Sequence, residues 1–190
     1  QSGQEPNPNV TVQERARPDY DPLGIHAGSF FIYPSLTVEG AYDSNVFATE
    51  DDEEDDVFAT VSPRIAAQSD FNRHALNFSV GAEGAAYEEF DDNNYLDFFG
   101  DASGRLDITR NDILSGALGL SRLHEGRESP DSVGAGEDVT EYWQQVARLG
   151  SRRNFNRVFA LLGGDITRFD FQDSGDINQD DRDRNQYRSR

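Results

Sequence analysis

From Phe30 almost to the last residue, the sequence alternates apolar and polar positions with a period of two, in runs far longer than soluble strands usually reach. Soluble strands average about 5–6 residues. In the run Leu76 to Tyr87, one face carries Leu76, Phe78, Val80, Ala82, Gly84 and Ala86, and the other carries Asn77, Ser79, Gly81, Glu83 and Ala85. The contrast returns in Leu96 to Ile108, where Leu96, Phe98, Gly100, Ala102, Gly104 and Leu106 oppose Asp97, Phe99, Asp101, Ser103, Arg105 and Asp107. Val57 to Gln68 and Val158 to Thr167 repeat it, with shorter versions at Leu36 to Ala41 and Leu114 to Ser121. A period of two is the signature of strands, and this length suits tilted strands that cross a membrane. The run around Trp143 stays ambiguous because Gln144, Gln145 and Arg148 spoil both faces. Pro63 speaks against an ordinary central strand, and a bulge is one resolution.

The connections fix a topology. Short links recur at Asp70-Phe71-Asn72-Arg73, at Thr109-Arg110-Asn111-Asp112 and at Arg153-Asn154-Phe155-Asn156-Arg157. Between them lie longer acidic loops: Asp43 to Asp56, Glu88 to Asn94, His124 to Asp138 and Gln172 to Arg184. Short turns at one end and long loops at the other are the pattern of an antiparallel up-and-down transmembrane β-barrel, with the short turns in the periplasm. Residues 1–28, with Pro6, Pro8, Pro18 and Pro22 and no sustained period, read as a periplasmic arm or linker ahead of barrel strands over 29–190. Aromatic residues fall near the predicted strand ends: Tyr33, Tyr42, Phe58, Tyr87, Tyr95, Tyr142, Trp143, Phe169 and Phe171. Rings at the two water–lipid boundaries are expected of a barrel.

Composition matters mainly for what it excludes. A formal net charge of -19 makes the chain a poor partner for nucleic acid, since affinity there comes from Lys and Arg neutralising phosphates. No segment approaches the roughly 20 apolar residues a spanning helix needs. That test is blind to barrels, because a spanning strand of about 10 residues shows lipid only every second side chain. The sequence holds no Cys and no Met and opens at Gln1. A removed signal peptide is the expected reason for the missing initiator methionine, and without cysteines there is neither a disulfide framework nor a thiolate metal site.

The charges expected on the polar faces are Glu39, Arg64, Glu83, Asp97, Asp101, Arg105, Asp107 and Asp165. They either line an aqueous lumen and favour cations or carbohydrate hydroxyls, or pair with one another in a plugged interior. Two arginines cannot neutralise six carboxylates, which favours access of water. The acidic loops could bind divalent cations, and Asp176, Asn178 and Asp180 imitate the start of a calcium loop. That imitation fails at Asp181, where the turn glycine belongs, and at Tyr187, where the bidentate carboxylate belongs; a solvated acidic loop is the plainer reading. Catalytic chemistry has no foothold here. There is no Gly-x-Ser-x-Gly elbow, Gly134-Ala135-Gly136 lacks the Lys-Ser/Thr of a phosphate loop, and His26, His74 and His124 fall at separate places in the topology. No enzyme activity and no cofactor is expected.

The segment Glu14 to Ile25, followed by Gly28-Ser29-Phe30, Tyr33-Pro34-Ser35-Leu36 and Tyr42-Asp43-Ser44-Asn45-Val46-Phe47, resembles the outer-membrane β-barrel porin family of proteobacteria. The likeness continues through Asn72-Arg73-His74-Ala75-Leu76 and Leu106-Asp107-Ile108-Thr109-Arg110. It implies a Gram-negative outer membrane, contact with outer-membrane lipid, and a larger barrel than this chain forms alone. For some members it also implies a part in exopolysaccharide export. Barrels of this kind usually end on an aromatic residue, whereas this chain ends Gln186-Tyr187-Arg188-Ser189-Arg190. About seven full strands are then expected, fewer than the eight of the smallest closed barrels, and the chain reads as a partial barrel truncated at its C-terminal end. Two rival functions remain beside a porin-like channel for solute or polysaccharide. One is a structural barrel whose acidic loops hold divalent cations; the other is a soluble acidic all-β binding module whose apolar faces bury against each other.

Overall fold

The computed structural model describes residues 22–127, 129, 139–173 and 179–189. Most of the expected arm lies outside the described residues, as do most of the loop over 128–138 and the calcium-like Asp176 and Asn178. Nine strands follow one another: β1 (Ile25–Ala27), β2 (Phe30–Asp43), β3 (Asp56–Ser69), β4 (Ala75–Tyr87), β5 (Tyr95–Asp107), β6 (Asp112–His124), β7 (Glu141–Phe155), β8 (Val158–Phe171) and β9 (Arg184–Ser189). They form one antiparallel sheet in sequence order. Among the described residues the only helical pieces are short 3-10 turns at Asp91–Asn93 and Asp180–Arg182, and no helix is long and apolar enough to cross a membrane. In the backbone, each strand lies close only to the strands beside it in the sheet. The sheet is therefore a single layer, and it is open, because β1 and β9 do not pair.

The seven long strands are β2 to β8, joined at one end by 70–74, 108–111 and 156–157 and at the other by the long loops. The sheet starts earlier than the expected boundary at residue 28. Ile25–Ala27 pairs with Phe30–Ile32 across a two-residue turn in which Gly28 has φ 63, the geometry for which a hairpin favours glycine at the first turn position. The third short link is also tighter than its sequence suggests. Asn154 pairs with Phe159 and Phe155 with Val158, leaving only Asn156 and Arg157 in the turn. Pro63 needs no bulge: Val61 pairs with Gly84 and Arg64 with Gly81, so the register runs through unchanged while the two rungs between lapse. On its other side Pro63 keeps its partner Leu36.

Because the register never slips, one set of alternate positions from every strand lies on one face. That face carries Leu36 and Val38 of β2, Val61 and Ile65 of β3, Phe78 and Val80 of β4, Leu118 and Leu120 of β6, and Leu162 and Ile166 of β8, all exposed. Val46, Ala85 and Phe171 are the only buried hydrophobic residues among those described. The sheet thus has no second layer and no apolar core. The strand faces do not bury against one another, as a soluble sandwich requires.

The apolar band runs obliquely to the hydrogen-bonded rows. One outward row reads Pro34, Ile65, Val80, Gly100, Leu120, Gln145, Arg168 and Asn185, apolar on β2 to β6 and polar from β7 onward. At the short-link end the band persists further on the later strands, where Phe155 and Val158 are still outward and exposed. A band that slants across the rows is what strands tilted by about 35–45° to a flat membrane require. The slant also resolves β7. Gln144 and Arg148 lie on the polar face, and Gln145 is outward but above the band. Arg122, paired with Glu141, shares an outward row with Trp143 and Asp170, and Asp170 pairs at 3.0 Å with Arg168, which lies in the row of Gln145.

The aromatic residues near strand ends do not form the expected outer girdles. Tyr42 and Trp143 point outward, but Tyr33, Phe58, Tyr87, Tyr95, Tyr142, Phe169 and Phe171 occupy the polar face. There they stack on one another, Phe58 on Tyr87 at 4.7 Å and Tyr142 on Phe171 at 5.0 Å. Further down the same face the tip of the Phe99 ring packs over Gly81, so close that a Cβ there would fall 2.3 Å from the ring. We expect Gly81→Val to destabilise the detergent-folded protein by about 1–3 kcal/mol through overpacking, read as a lower urea midpoint. A second change, Phe99→Ala, should restore part of that loss; an unchanged midpoint in Gly81→Val contradicts the packing.

Candidate functional site

The polar face is the candidate site, and its chemistry follows from which strand supplies each side chain. All eight charged residues singled out in the sequence lie on it, but in three separate groups. Towards the long-loop end, Glu39 shares a row with Thr60, Ala85 and Tyr95. Glu83 accepts hydrogen bonds from Ser62 at 3.1 Å and from the Tyr95 hydroxyl at 3.0 Å. Asp97 accepts the backbone N–H of His124 and faces its ring Nδ1, both at 2.9 Å, while Tyr95 stacks on the same imidazole at 3.7 Å. Asp101 and Arg64 are each 3.5 Å from the Ser79 hydroxyl, and the Arg64 guanidinium sits 5.6 Å from the centre of the Phe99 ring.

At the short-link end, Arg105 pairs with Asp107 at 3.2 Å. The Asp107 N–H donates to Nδ1 of His74 at 3.2 Å, which ties His74 to the neighbouring strand. Asp165 is apart from the others, flanked in register by Arg148 of β7 and Arg188 of β9.

Sequence reasoning missed four arginines on this face: Arg148, Arg152, Arg184 and Arg188. Arg152 lies over Phe159 at 4.9 Å and Arg184 over Phe169 at 4.7 Å. Counting β7 positions upward from its turn at Asn156 would have placed Arg148 and Arg152 correctly. With these included, the six carboxylates expected on this face are matched by six arginines, and the face carries substantial charge of both signs.

The long loops are tied down where they leave the strands. The Asp56 carboxylate accepts backbone N–H groups from Val57, Glu89 and Phe90 at 2.6, 3.1 and 3.0 Å, so it anchors the loop after β4 to the base of the loop after β2. Glu50 to Asp55 stay exposed. Arg182 forks onto both oxygens of Glu125 at 2.9 and 2.7 Å while lying 4.2 Å from the centre of the Phe171 ring. This joins the loop after β6 to the loop after β8. No group of three His, Asp or Glu side chains among the described residues converges as a metal ion would need.

A single-layer antiparallel meander, apolar on one face and charged on the other, with short turns at one end and long loops at the other, is the wall of a transmembrane β-barrel. The chain belongs to the family described as Putative beta-barrel porin 2, whose model matches residues 17–190. Comparison with curated proteins and with solved structures gives no match. For the class in general, membership carries an outer-membrane location and a barrel or channel role rather than an enzymatic one.

The Arg182 hydrogen bond, seconded by Ser129 and opposed by burial, holds the Glu125 carboxyl below its usual range. A depressed carboxyl stabilises fully above the ordinary glutamate value of about 4.3 and loses that contribution as pH falls through its own lower value. Amide exchange at Glu125 and Gln172, corrected for intrinsic rates, should therefore stay protected near pH 4.3 and accelerate below it. Glu125→Gln should remove this pH dependence and cost on the order of 1–3 kcal/mol of local loop stability; full protection in the variant contradicts the clasp.

Proposed function

We propose that this chain forms wall of a porin-like channel in the outer membrane of a Gram-negative bacterium, passing small polar solutes along the charged face of the sheet. The observation that carries the reading is the continuous exposed apolar face of a one-layer sheet. Val38 and Leu118 are each 65% exposed and Leu162 is 76% exposed. A Leu or Val side chain gains about 1.5–3 kcal/mol on leaving water, so a whole face of them in contact with water is untenable for a folded chain. Lipid covers that face, and the opposite face, with its carboxylates, arginines and hydroxyls, borders water. By the same logic the long acidic loops are extracellular and the short links, with the arm before β1, periplasmic.

A second cargo is favoured by one feature. The rings of Tyr33, Tyr95, Phe99 and Phe169 stand on the polar face among carboxylates and hydroxyls, and flat rings beside hydrogen-bonding groups suit the mixed surface of a sugar. Secreted polysaccharide is the polymer that such a wall would guide.

Circular dichroism and heat-modifiable gel migration test the membrane reading. Detergent-dependent β structure with a heat-sensitive shift, followed by conductance in planar bilayers, is the expected result, and added polysaccharide that transiently blocks the current would select the polymer as cargo. A compact monomer with cooperative β structure in plain buffer would overturn the proposal.

A further inference from the structure

The two signs of charge on the polar face are sorted by strand. Glu39, Glu83, Asp97 and Asp101 lie on β2, β4 and β5, with Arg64 as the one cation among them towards the long-loop end. Arg148, Arg152, Arg184 and Arg188 lie on β7 and β9, with Asp165 between Arg148 and Arg188. The strand between the two groups has no charge on this face: β6 contributes Ile113, Ser115, Ala117, Gly119, Ser121 and Leu123. Neighbouring strands are about 4.7–4.9 Å apart, so an acidic sector and a basic sector are held either side of a neutral stripe roughly 10 Å across.

Ion pairing has not collapsed this separation. Glu83 is held by Ser62 and Tyr95, Asp97 by His124, and Arg152 and Arg184 lie over aromatic rings of β8. Between Ile113 and Leu123 at its ends, β6 offers only Ser115, Ala117, Gly119 and Ser121 on this face, so no bulky wall stands between the middles of the two sectors.

We propose that the inner wall carries a lateral electric field, from a basic sector on β7–β9 to an acidic sector on β2–β5, and that it selects zwitterionic or strongly dipolar solutes over simple cations and simple anions. This rests on the reading of the polar face as the wall of a channel. A zwitterion can satisfy both sectors at once by turning across the stripe. A simple ion attracted by one sector is repelled by the other, so net ion selectivity is weak although the wall is densely charged.

The test is the reversal potential of the intact protein in planar bilayers under a KCl gradient, with liposome uptake of a zwitterionic amino acid against a cation and an anion of equal size. The parent channel should select weakly between potassium and chloride and take up the zwitterion fastest. Arg148→Gln with Arg188→Gln should shift the permeability ratio towards potassium by about twofold per charge removed at low salt. Glu83→Gln with Asp101→Asn should shift it towards chloride by a similar factor, and either pair should erase the zwitterion advantage. Where the first pair prevents assembly, Arg152→Gln with Arg184→Gln carries the same prediction. A conducting channel whose potential moves in the same direction with both pairs, or with neither, overturns the lateral field. A parent protein that assembles and does not conduct overturns the channel reading beneath it.

Discussion

Every feature of this sheet depends on the need of backbone N–H and C=O groups for partners where no water is available. In hydrocarbon an unpaired group costs several kcal/mol, so a chain that crosses as strands must pair each one on both sides. From β2 through β8 the registers meet that demand except at the two rungs that lapse towards β4 beside Pro63, and no residue slips even there. An unslipped register then decides the faces, because a one-residue shift on any strand would turn its entire apolar set to the other side. Among the described residues the same demand is also unmet along β2 beyond Ile32, where β1 has ended, along 158–163 of β8, which β9 does not reach, and along the outer side of β9. In a membrane those edges call for partners, and closure of the barrel consists in supplying them.

The sequence displayed the fold where a strand stays within the apolar band. The runs Leu76 to Tyr87 and Leu96 to Ile108 alternate cleanly because every outward position on β4 and β5 is apolar or glycine, and their faces could be assigned from spacing alone. β7 was obscure for the converse reason. The tilted band leaves it early, so Gln145 and Glu141 are outward and polar while Gln144 and Arg148 are polar and on the other face. Aromatic orientation was also hidden. A ring near a strand end looks like a girdle residue whichever way it points, and only the register shows that Phe58, Tyr87 and Tyr142 turn towards the charged side. Pro63 looked forbidden because a proline in a sheet lacks one donor, yet a lapse of two rungs towards β4 is enough to accommodate it.

The candidate site was legible as a set of charges and not as an arrangement. Eight charged residues could be placed on one face by parity, but their grouping into an acidic sector, a paired Arg105 and Asp107, and an Asp165 among arginines depends on how rows join across strands. Sequence spacing within a strand says nothing of that. The long loops tell a similar story. Their acidity suggested solvation or cations, whereas Asp56 and Glu125 hold neighbouring loops together through backbone N–H groups and the Arg182 guanidinium. These ties fix the loop bases around the mouth of the wall while Glu50 to Asp55 remain in water.

The central claim is that alternate residues of each strand face lipid and water, and β6 offers the cleanest trial because its two faces differ so sharply. The native sequence has no cysteine, so single cysteines can be placed at Leu114, Leu118 and Leu120 and at Ser115, Ala117 and Ser121, and the protein reconstituted in lipid and exposed to a membrane-impermeant thiol reagent. Labelling confined to Ser115, Ala117 and Ser121 is the predicted result. Equal labelling at all six positions, or labelling of the leucine set instead, would contradict the assignment of faces and with it the barrel wall built upon it.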